Sequence, residues 1–388
     1  MGTNNQKRDE YCGFEQGPIR PPSEAQSLLI RVSRNCPWNR CAFCPVYKGS
    51  KFSTRPVEHI KRDIDAVHRH IEKIQSLCDG SGRISRDALY TMAQDLPAEE
   101  ADSFNAALNW FRAGMRNVFL QDANALFIRP HHLMEILTHL RACFPNIRRI
   151  TCYARSQTVA SWKEDDLRAV REAGLDRIHI GLESGADAVL ERVHKGVNKA
   201  QHILAGQKIK AAGMELSEYY MPGLGGQDLW EIHARESADA LNQINPDFIR
   251  LRSLAIPNHV PLFEEWCSGR FKKCTDVQVA REIRLFLELL QGITSMVKSD
   301  HILNLFGDLE GRLPGAQPAM LAMLDVFLDL SPGEQALYQV GRRMGAFFTL
   351  DDRANPQRRD AAQSACQEFG ITPENVDSVI DEIMKRFI

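Results

Sequence analysis

Between about residues 27 and 255, short apolar runs alternate with stretches of helical period, and this rhythm restricts the fold more than any other feature. SLLIRVS (27–33), RNVFLQD (116–122), RRITCYA (148–154), DRIHIGL (176–182), MELSEYYM (214–221) and DFIRLRSL (247–254) read as strands. Val57, Ile60, Ile64, Val67 and Ile71 recur three or four apart and predict a helix from Pro56 to about Leu77. Further helices are predicted at 130–144, begun by Pro130, at 165–174, ended by Gly174, at 205–213 and at about 228–243. Such alternation makes βαβ units and a parallel sheet. Six strands predict an α/β fold of the partial (β/α)6 TIM-like barrel kind, rather than eight closed units. A stretch from about Ser85 to Arg112 reads as helical, within an insertion at about 78–113. After about residue 275 the pattern is mainly helical, from VAREIRLFLELL (279–290) to DSVIDEIMKRFI (377–388). The expected organisation is an arm at 1–26, a barrel at 27–255 and a C-terminal helical extension at 256–388 that caps it.

The first strand runs straight into NCPWNRCAFCPVYKG, where Cys36, Cys41 and Cys44 are spaced C-x4-C-x2-C. Thiolates are the usual protein ligands of iron–sulfur clusters. Three of them on a four-iron cube leave one iron without a protein ligand. An open coordination position separates a working metal site from a structural one, as argued for zinc. A loop that directly follows a strand also lies at the C-terminal mouth of a barrel, where active sites of such folds are built. Zinc is a competing reading, but a structural zinc wants a fourth ligand, and His59 is distant and within a predicted helix. Buried free thiols are another, set against a polar loop containing Pro and Asn.

Lys and Arg number 48 against 50 Asp and Glu, a formal net charge of −2. That balance argues against a surface built to attract nucleic acid along its length, so nucleic acid is not an expected partner. The clusters RRI (148–150) and FKK (271–273) read as solvated faces. No apolar run approaches the roughly 20 residues that span a bilayer. The N-terminus, MGTNNQKRDEYCGFEQG, is polar and without a hydrophobic signal core. The expected location is cytoplasmic, with no membrane partner, and in a reducing compartment ten cysteines point to metal or free thiols. Cys143 and Cys152 read as core residues. Cys267 and Cys274 raise a second cluster, for which Cys12, Cys78 and Cys366 are scattered single residues.

The strand, the cysteine loop with Phe43 before its last Cys, and the later GLESG and MPGLGG segments, in that order, resemble the radical S-adenosylmethionine (SAM) superfamily over roughly residues 27–255. The likeness is to the branch with oxygen-independent coproporphyrinogen dehydrogenases and methylthiotransferases. It implies a [4Fe–4S] cluster on Cys36, Cys41 and Cys44, with SAM chelating the open iron. An external reductant such as flavodoxin or ferredoxin would drive cleavage to methionine and a 5′-deoxyadenosyl radical. The common family spacing is C-x3-C-x2-C, so the extra residue between Cys36 and Cys41 alters the loop path.

The resemblance also implies a SAM site. Where the family often carries Gly-Gly-Glu after the second strand, LQDANAL stands here, and Asp122 and Asn124 would accept from the SAM amine. A strand-end Asx turn is the competing reading. Glu183, in GLESGADAVLERVHKG (181–196), falls where it reaches the ribose or amine. Lys195, or Arg192, falls where a cation meets the carboxylate, against an ordinary charged helix surface. Arg155 in YARS (153–156) is a second carboxylate or ribose candidate, or else a barrel-rim salt bridge. In LSEYYMPGLGG (216–226), Met221 and Gly223 would run along the adenine and Glu218 could face the site. Phe43 would pack by the adenine or shield the cluster, or be plain core.

The flanks suggest that this is not a cobalamin-dependent methylase, a methylthiotransferase or a peptide modifier, since the extra domains and Cys-rich end of those relatives are not seen. Asp300 and His301 would be substrate or proton-transfer groups, or a structural pair. The expected reaction is hydrogen abstraction from a small-molecule substrate, with no residue assigned as catalytic. Alternatives are the same chemistry on RNA or protein, or an iron–sulfur electron carrier or sensor without SAM chemistry.

Overall fold

The computed structural model describes residues 10–384. Most of the polar N-terminus and the last four residues of the expected final helix lie outside the described residues. The chain divides into two compact units, one of residues 1–37, 49–179 and 211–214, the other of 38–48, 180–210 and 215–388.

The first unit opens with β1 (Leu28–Arg31), then β2 (Ser33–Arg34) and β3 (Ser53–Thr54), which pair antiparallel. Helix α1 (Val57–Ser76) follows, and its apolar stripe of Ile60, Ile64, Val67, Ile71 and Ile74 is buried. The stretch expected as one helix from Ser85 to Arg112 is two, α2 (Arg86–Gln94) and α3 (Ala101–Arg112). Pro97 lies between them, where a ring without an N–H interrupts helical hydrogen bonding. Then come β4 (Asn117–Gln121), α4 (Pro130–Cys143), β5 (Arg149–Ala154), α5 (Ser156–Ser161), α6 (Glu164–Glu172) and the first residues of β6 (Arg177–Glu183). β1 runs parallel to β4, with Ile30 opposite Leu120, and β4 parallel to β5, with Leu120 opposite Cys152. The middles of these strands are apolar and buried, with polar residues mostly at their ends, as strands covered on both faces require.

The second unit takes up the rest of β6 and continues with α7 (Asp187–Arg192), α8 (Lys199–Ala211), β7 (Glu215–Tyr220), α9 (Gly226–Ile244) and β8 (Phe248–Leu251). After α10 (Pro261–Cys267) and α11 (Asp276–Glu288) come two strands the sequence did not announce, β9 (Met296–Lys298) and β10 (Gly311–Arg312). β9 lies parallel to β8, and β10 antiparallel to β9. The region after 275 is mainly helical, as expected, and these two strands went unread because strands of two or three residues carry no readable alternation. The chain ends with α12 (Gln317–Leu328), α13 (Pro332–Arg343), α14 (Pro356–Glu368) and α15 (Val376–Met384). Leu303, Ala336, Val340, Ala365, Val376 and Ile380 share a core there.

The main sheet has eight strands in the order β1-β4-β5-β6-β7-β8-β9-β10, of which the first six are those expected. This is an α/β fold of the partial barrel kind with C-terminal helices. Among the described residues, no helix is long and apolar enough to cross a membrane.

Candidate functional site

In the second unit, the loop bearing Cys41 and Cys44 is tied down by its own backbone and by Lys48. The Lys48 ammonium donates to the carbonyls of Cys41 (2.9 Å) and Asn39 (3.3 Å). Asn39, at φ 46°, gives its amide to the Tyr47 carbonyl (2.5 Å). Ala42 donates to the Val193 carbonyl (2.8 Å) and accepts from the Leu262 amide (3.0 Å). Trp38 Nε1 donates to the His194 carbonyl (2.7 Å), and its ring fills the space a Cβ at Gly196 would take. Phe43 is buried in a cluster with Val189, Met221, Leu254, Ile256 and Phe271, against which Cys41 and Cys44 pack. The segment from Leu254 to Phe271 thus covers the loop.

Glu183 ends β6 at φ 62°, and its carbonyl accepts the Met221 amide (3.0 Å). Its carboxylate pairs with Lys195 (3.1 Å) through Oε1, while Oε2 is buried with no hydrogen-bond partner. Lys195 also stands 5.9 Å from the Phe43 ring centroid. Arg192 is turned to the Arg270 carbonyl (2.6 Å) and the Phe271 ring, so Lys195 is the cation of this site. Glu218, on β7, is fully buried; no side chain donates to its carboxylate, and the Leu182 backbone amide is the one donor that bears on it. Burial above all holds its carboxyl well above the usual carboxylate range; Lys195 pulls it down and Glu183 pushes it up. An unmet buried acceptor costs roughly 1–3 kcal/mol. Two carboxylates with open oxygens beside one ammonium therefore fit a ligand carrying both an ammonium and a carboxylate. A Cβ at Gly181 would run into the Glu183 carboxylate and stand 3.0 Å from Lys195 Nζ, so only glycine leaves this cradle open.

The turn after β7 is set by groups the sequence reading missed. Glu282, fully buried on α11, accepts from the Tyr220 hydroxyl (2.7 Å) and the Gly223 amide (3.0 Å). His233, on α9, reaches the Met221 carbonyl through Nε2 (3.0 Å) and Ser184 Oγ through Nδ1 (2.8 Å). Burial raises the Glu282 carboxyl to about 8 and lowers His233 to about 4. Met221 and Gly223 are thus held through their backbone.

In the first unit, Asp122 is fully buried and bound by Arg31 Nε (2.9 Å) and Nη2 (2.7 Å), and it accepts the Asn35 amide (3.1 Å). It anchors the residue before Cys36. Asn124 uses both ends of its amide: Oδ1 accepts the Arg155 amide (3.2 Å) and Nδ2 donates to Thr158 (2.8 Å). Arg155 precedes α5 and is half-buried. Both residues lie in the bend and turn that directly follow β4, with side chains bonded to distant segments. Gln121 beside them holds the arm through Gly17 and Ile19.

A groove of about 920 Å³ in the same unit is lined by Arg34, Lys51, Phe52, Arg55, Phe127 and Arg129, among others. Arg34 and Arg55 pair with Glu15. Among the described residues, Lys51 and Arg129 have no carboxylate within ion-pair distance. The Lys51 carbonyl accepts the Asn35 amide group (2.6 Å), which joins the groove wall to the cysteine loop.

The remaining candidates separate. Asp300 pairs with Arg250, and His301 Nδ1 accepts the Leu303 amide (3.2 Å). Cys274 is buried, its thiol pushed up to about 12, whereas Cys267 is exposed.

Residues 30–235 match the family described as the radical SAM superfamily. The chain is 21% identical over 286 residues to the tRNA uridine(34) acetyltransferase of Methanocaldococcus jannaschii, covering 70% of this chain and 50% of that one. It is 20% identical to the protein of the same name in Methanocaldococcus infernus, with the same coverage, and so spans half the length of these relatives. Among solved structures it is similar to coproporphyrinogen III oxidase from Escherichia coli, at 15% identity and a TM-score of 0.42, covering 68% of this chain and 52% of that one. Methylornithine synthase matches at 14% identity and a TM-score of 0.42, covering 71% and 66%.

Proposed function

The chain belongs to the radical SAM superfamily, an enzyme family using a [4Fe–4S] cluster and SAM, and from that premise we propose that it abstracts hydrogen from a small, anionic substrate. When bound, the cluster and SAM supply a 5′-deoxyadenosyl radical, made by one-electron cleavage of the sulfonium. Cys36, Cys41 and Cys44 hold the cluster. Lys195 receives the SAM carboxylate, and Glu218 with Glu183 receives the ammonium or ribose hydroxyls. Met221 and Gly223, fixed by His233 and Glu282, border the adenine, with Phe43 shielding the loop. Asp122 and Asn124 act as positioning residues for the cysteine loop and for Arg155. The observation that carries this reading is a fully buried Glu218 carboxyl that no side chain pairs, close to the Lys195–Glu183 pair whose Glu183 Oε2 is left without a partner.

The groove supports the substrate class. Its volume of about 920 Å³ lies within the usual size of ligand pockets, and Lys51 and Arg129, with no carboxylate among the described residues at ion-pair distance, add positive charge to a lining that also holds Glu10. The enzyme works in the cytoplasm with a flavodoxin or ferredoxin as electron donor.

The test is anaerobic reconstitution followed by dithionite and SAM. The expected result is about four iron and four sulfide per chain and release of 5′-deoxyadenosine. Replacing Cys36, Cys41 and Cys44 with Ala abolishes both, and Cys267→Ala leaves both intact. Reconstituted protein with almost no iron, or with iron but no deoxyadenosine, overturns the proposal.

The name of the matched relatives favours a second reading, in which the substrate is RNA. The same groove supports it, since Phe52 and Phe127 offer rings on which a splayed base could stack. A salt-sensitive complex with tRNA, absent with small anions, selects this reading over the first.

A further inference from the structure

Away from the SAM site, α1 and α4 bring three metal-binding side chains to one point. His139 and Cys143 stand four residues apart on α4 and so share a face, and Asp65 on α1 is opposite them. His139 Nε2 is 2.7 Å from Asp65 Oδ1, and Cys143 Sγ is 3.7 Å from that nitrogen and 3.8 Å from that oxygen. We propose that Asp65, His139 and Cys143 form a site for a divalent transition-metal ion of the zinc type, which clamps α1 to α4.

The distances fit such an ion closely. With Zn–S near 2.3 Å and Zn–N or Zn–O near 2.0 Å, tetrahedral ligands lie about 3.3 to 3.6 Å apart. The two sulfur contacts need only tighten slightly, and the Asp65–His139 hydrogen bond opens by about half an ångström to admit the ion. One thiolate, one imidazole and one carboxylate suit zinc or cobalt(II) rather than magnesium or calcium, which prefer all-oxygen sites. Cys143 is the last residue of α4, so the ion would sit by the negative end of that helix dipole. His139 is 29% and Asp65 45% exposed, which leaves an approach from solvent. Water completes the fourth position of the proposed ion.

The site is tested on the full chain with Cys36, Cys41 and Cys44 replaced by Ala, so that the cluster loop cannot take up the metal, and in parallel on the iron-loaded wild type. Zn²⁺ is added, excess is removed over a weak chelator, and metal is counted. The expected result is about one zinc per chain in both proteins. Cobalt(II) in the same site should give the near-ultraviolet thiolate charge-transfer band and the visible bands of a tetrahedral ion. Cys143→Ser should remove the charge-transfer band and weaken Zn²⁺ by about 100-fold or more. His139→Ala should do the same to affinity. Asp65→Asn, which keeps the shape of the side chain, checks that losses come from ligation rather than unfolding, through an unchanged apo-protein Tm and lost zinc-induced stabilisation. Zinc content that is unaltered in Cys143→Ser, or zinc absent from both parent proteins, overturns the proposal. Either result leaves the SAM reading untouched, because deoxyadenosine release is measured separately on the cluster.

Discussion

Glu218 is the side chain whose loss should be most informative. Replaced by Gln it keeps its shape but offers a neutral, half-donor group to an ammonium. Hydrogen bonds to charged groups contribute about 1.5–3 kcal/mol, so Glu218→Gln should raise the KM for SAM by roughly 10- to 100-fold in deoxyadenosine release. Iron content should stay at the wild-type value; an unchanged KM would remove Glu218 from the site. The glutamate was legible as a candidate, but strand parity left its direction open. Its burial beside Lys195 is a product of the packed sheet. Glu282 was not legible as a site residue at all. It stands three residues after Val279 and four before Phe286, on the apolar stripe of a predicted helix, and that oddity was its only sequence signature. Its folded pKa of about 8 lies above the ordinary 4.5, so the folded chain keeps a proton that the unfolded chain releases. The stability this proton contributes is complete below pH 4.5 and is lost as pH rises through about 8. His233, lowered from 6.5 to about 4, acts oppositely and loses stability as pH falls from 6.5 towards 4. Above pH 6.5 the His233 effect is spent while Glu282, and Glu218 in the same direction, still lose stability as pH rises, so Tm should fall between 6.5 and about 8. In Glu282→Gln the decline over that window should flatten, as calorimetry across the range would record.

Elements behave as their patterns and caps require. Helix α11 starts with a complete capping box, in which Thr275 and Gln278 exchange side-chain and backbone hydrogen bonds. Because α11 carries Glu282 to the turn after β7, Thr275→Ala should destabilise the fold by about 1 kcal/mol and also weaken SAM binding. Denaturant titration and SAM affinity measured together would separate this from a purely local loss. Helix α1 was predicted almost residue for residue, since five apolar residues at helical spacing leave little choice. Ile64 is fully buried on its stripe, and Ile64→Ala should cost about 2–5 kcal/mol by chemical denaturation. Strands β9 and β10 escaped prediction because their pairing is decided by the edge that β8 presents, which no local window contains.

At the scale of the whole molecule, a near-balanced charge of −2 gives no broad attraction for polyanions. If the groove of Lys51 and Arg129 is the site of RNA binding, the attraction comes from few cations. About two phosphate contacts predict a slope of log K against log salt near −1.4, far shallower than a protein that tracks a backbone. A slope several times steeper in a fluorescence titration with tRNA would show a larger basic surface at work.

The order of strands and helices over 27–255, the cysteine spacing and the glycine segments were determined along the chain, because periodicity and thiolate chemistry are local properties. Tertiary structure alone decided which carboxylate oxygens were left without side-chain donors, that Arg31 claims Asp122, and that Glu282 and His233 brace the turn at Met221 and Gly223. These outcomes depend on which groups from distant segments are desolvated together, and desolvation is a property of the packed interior.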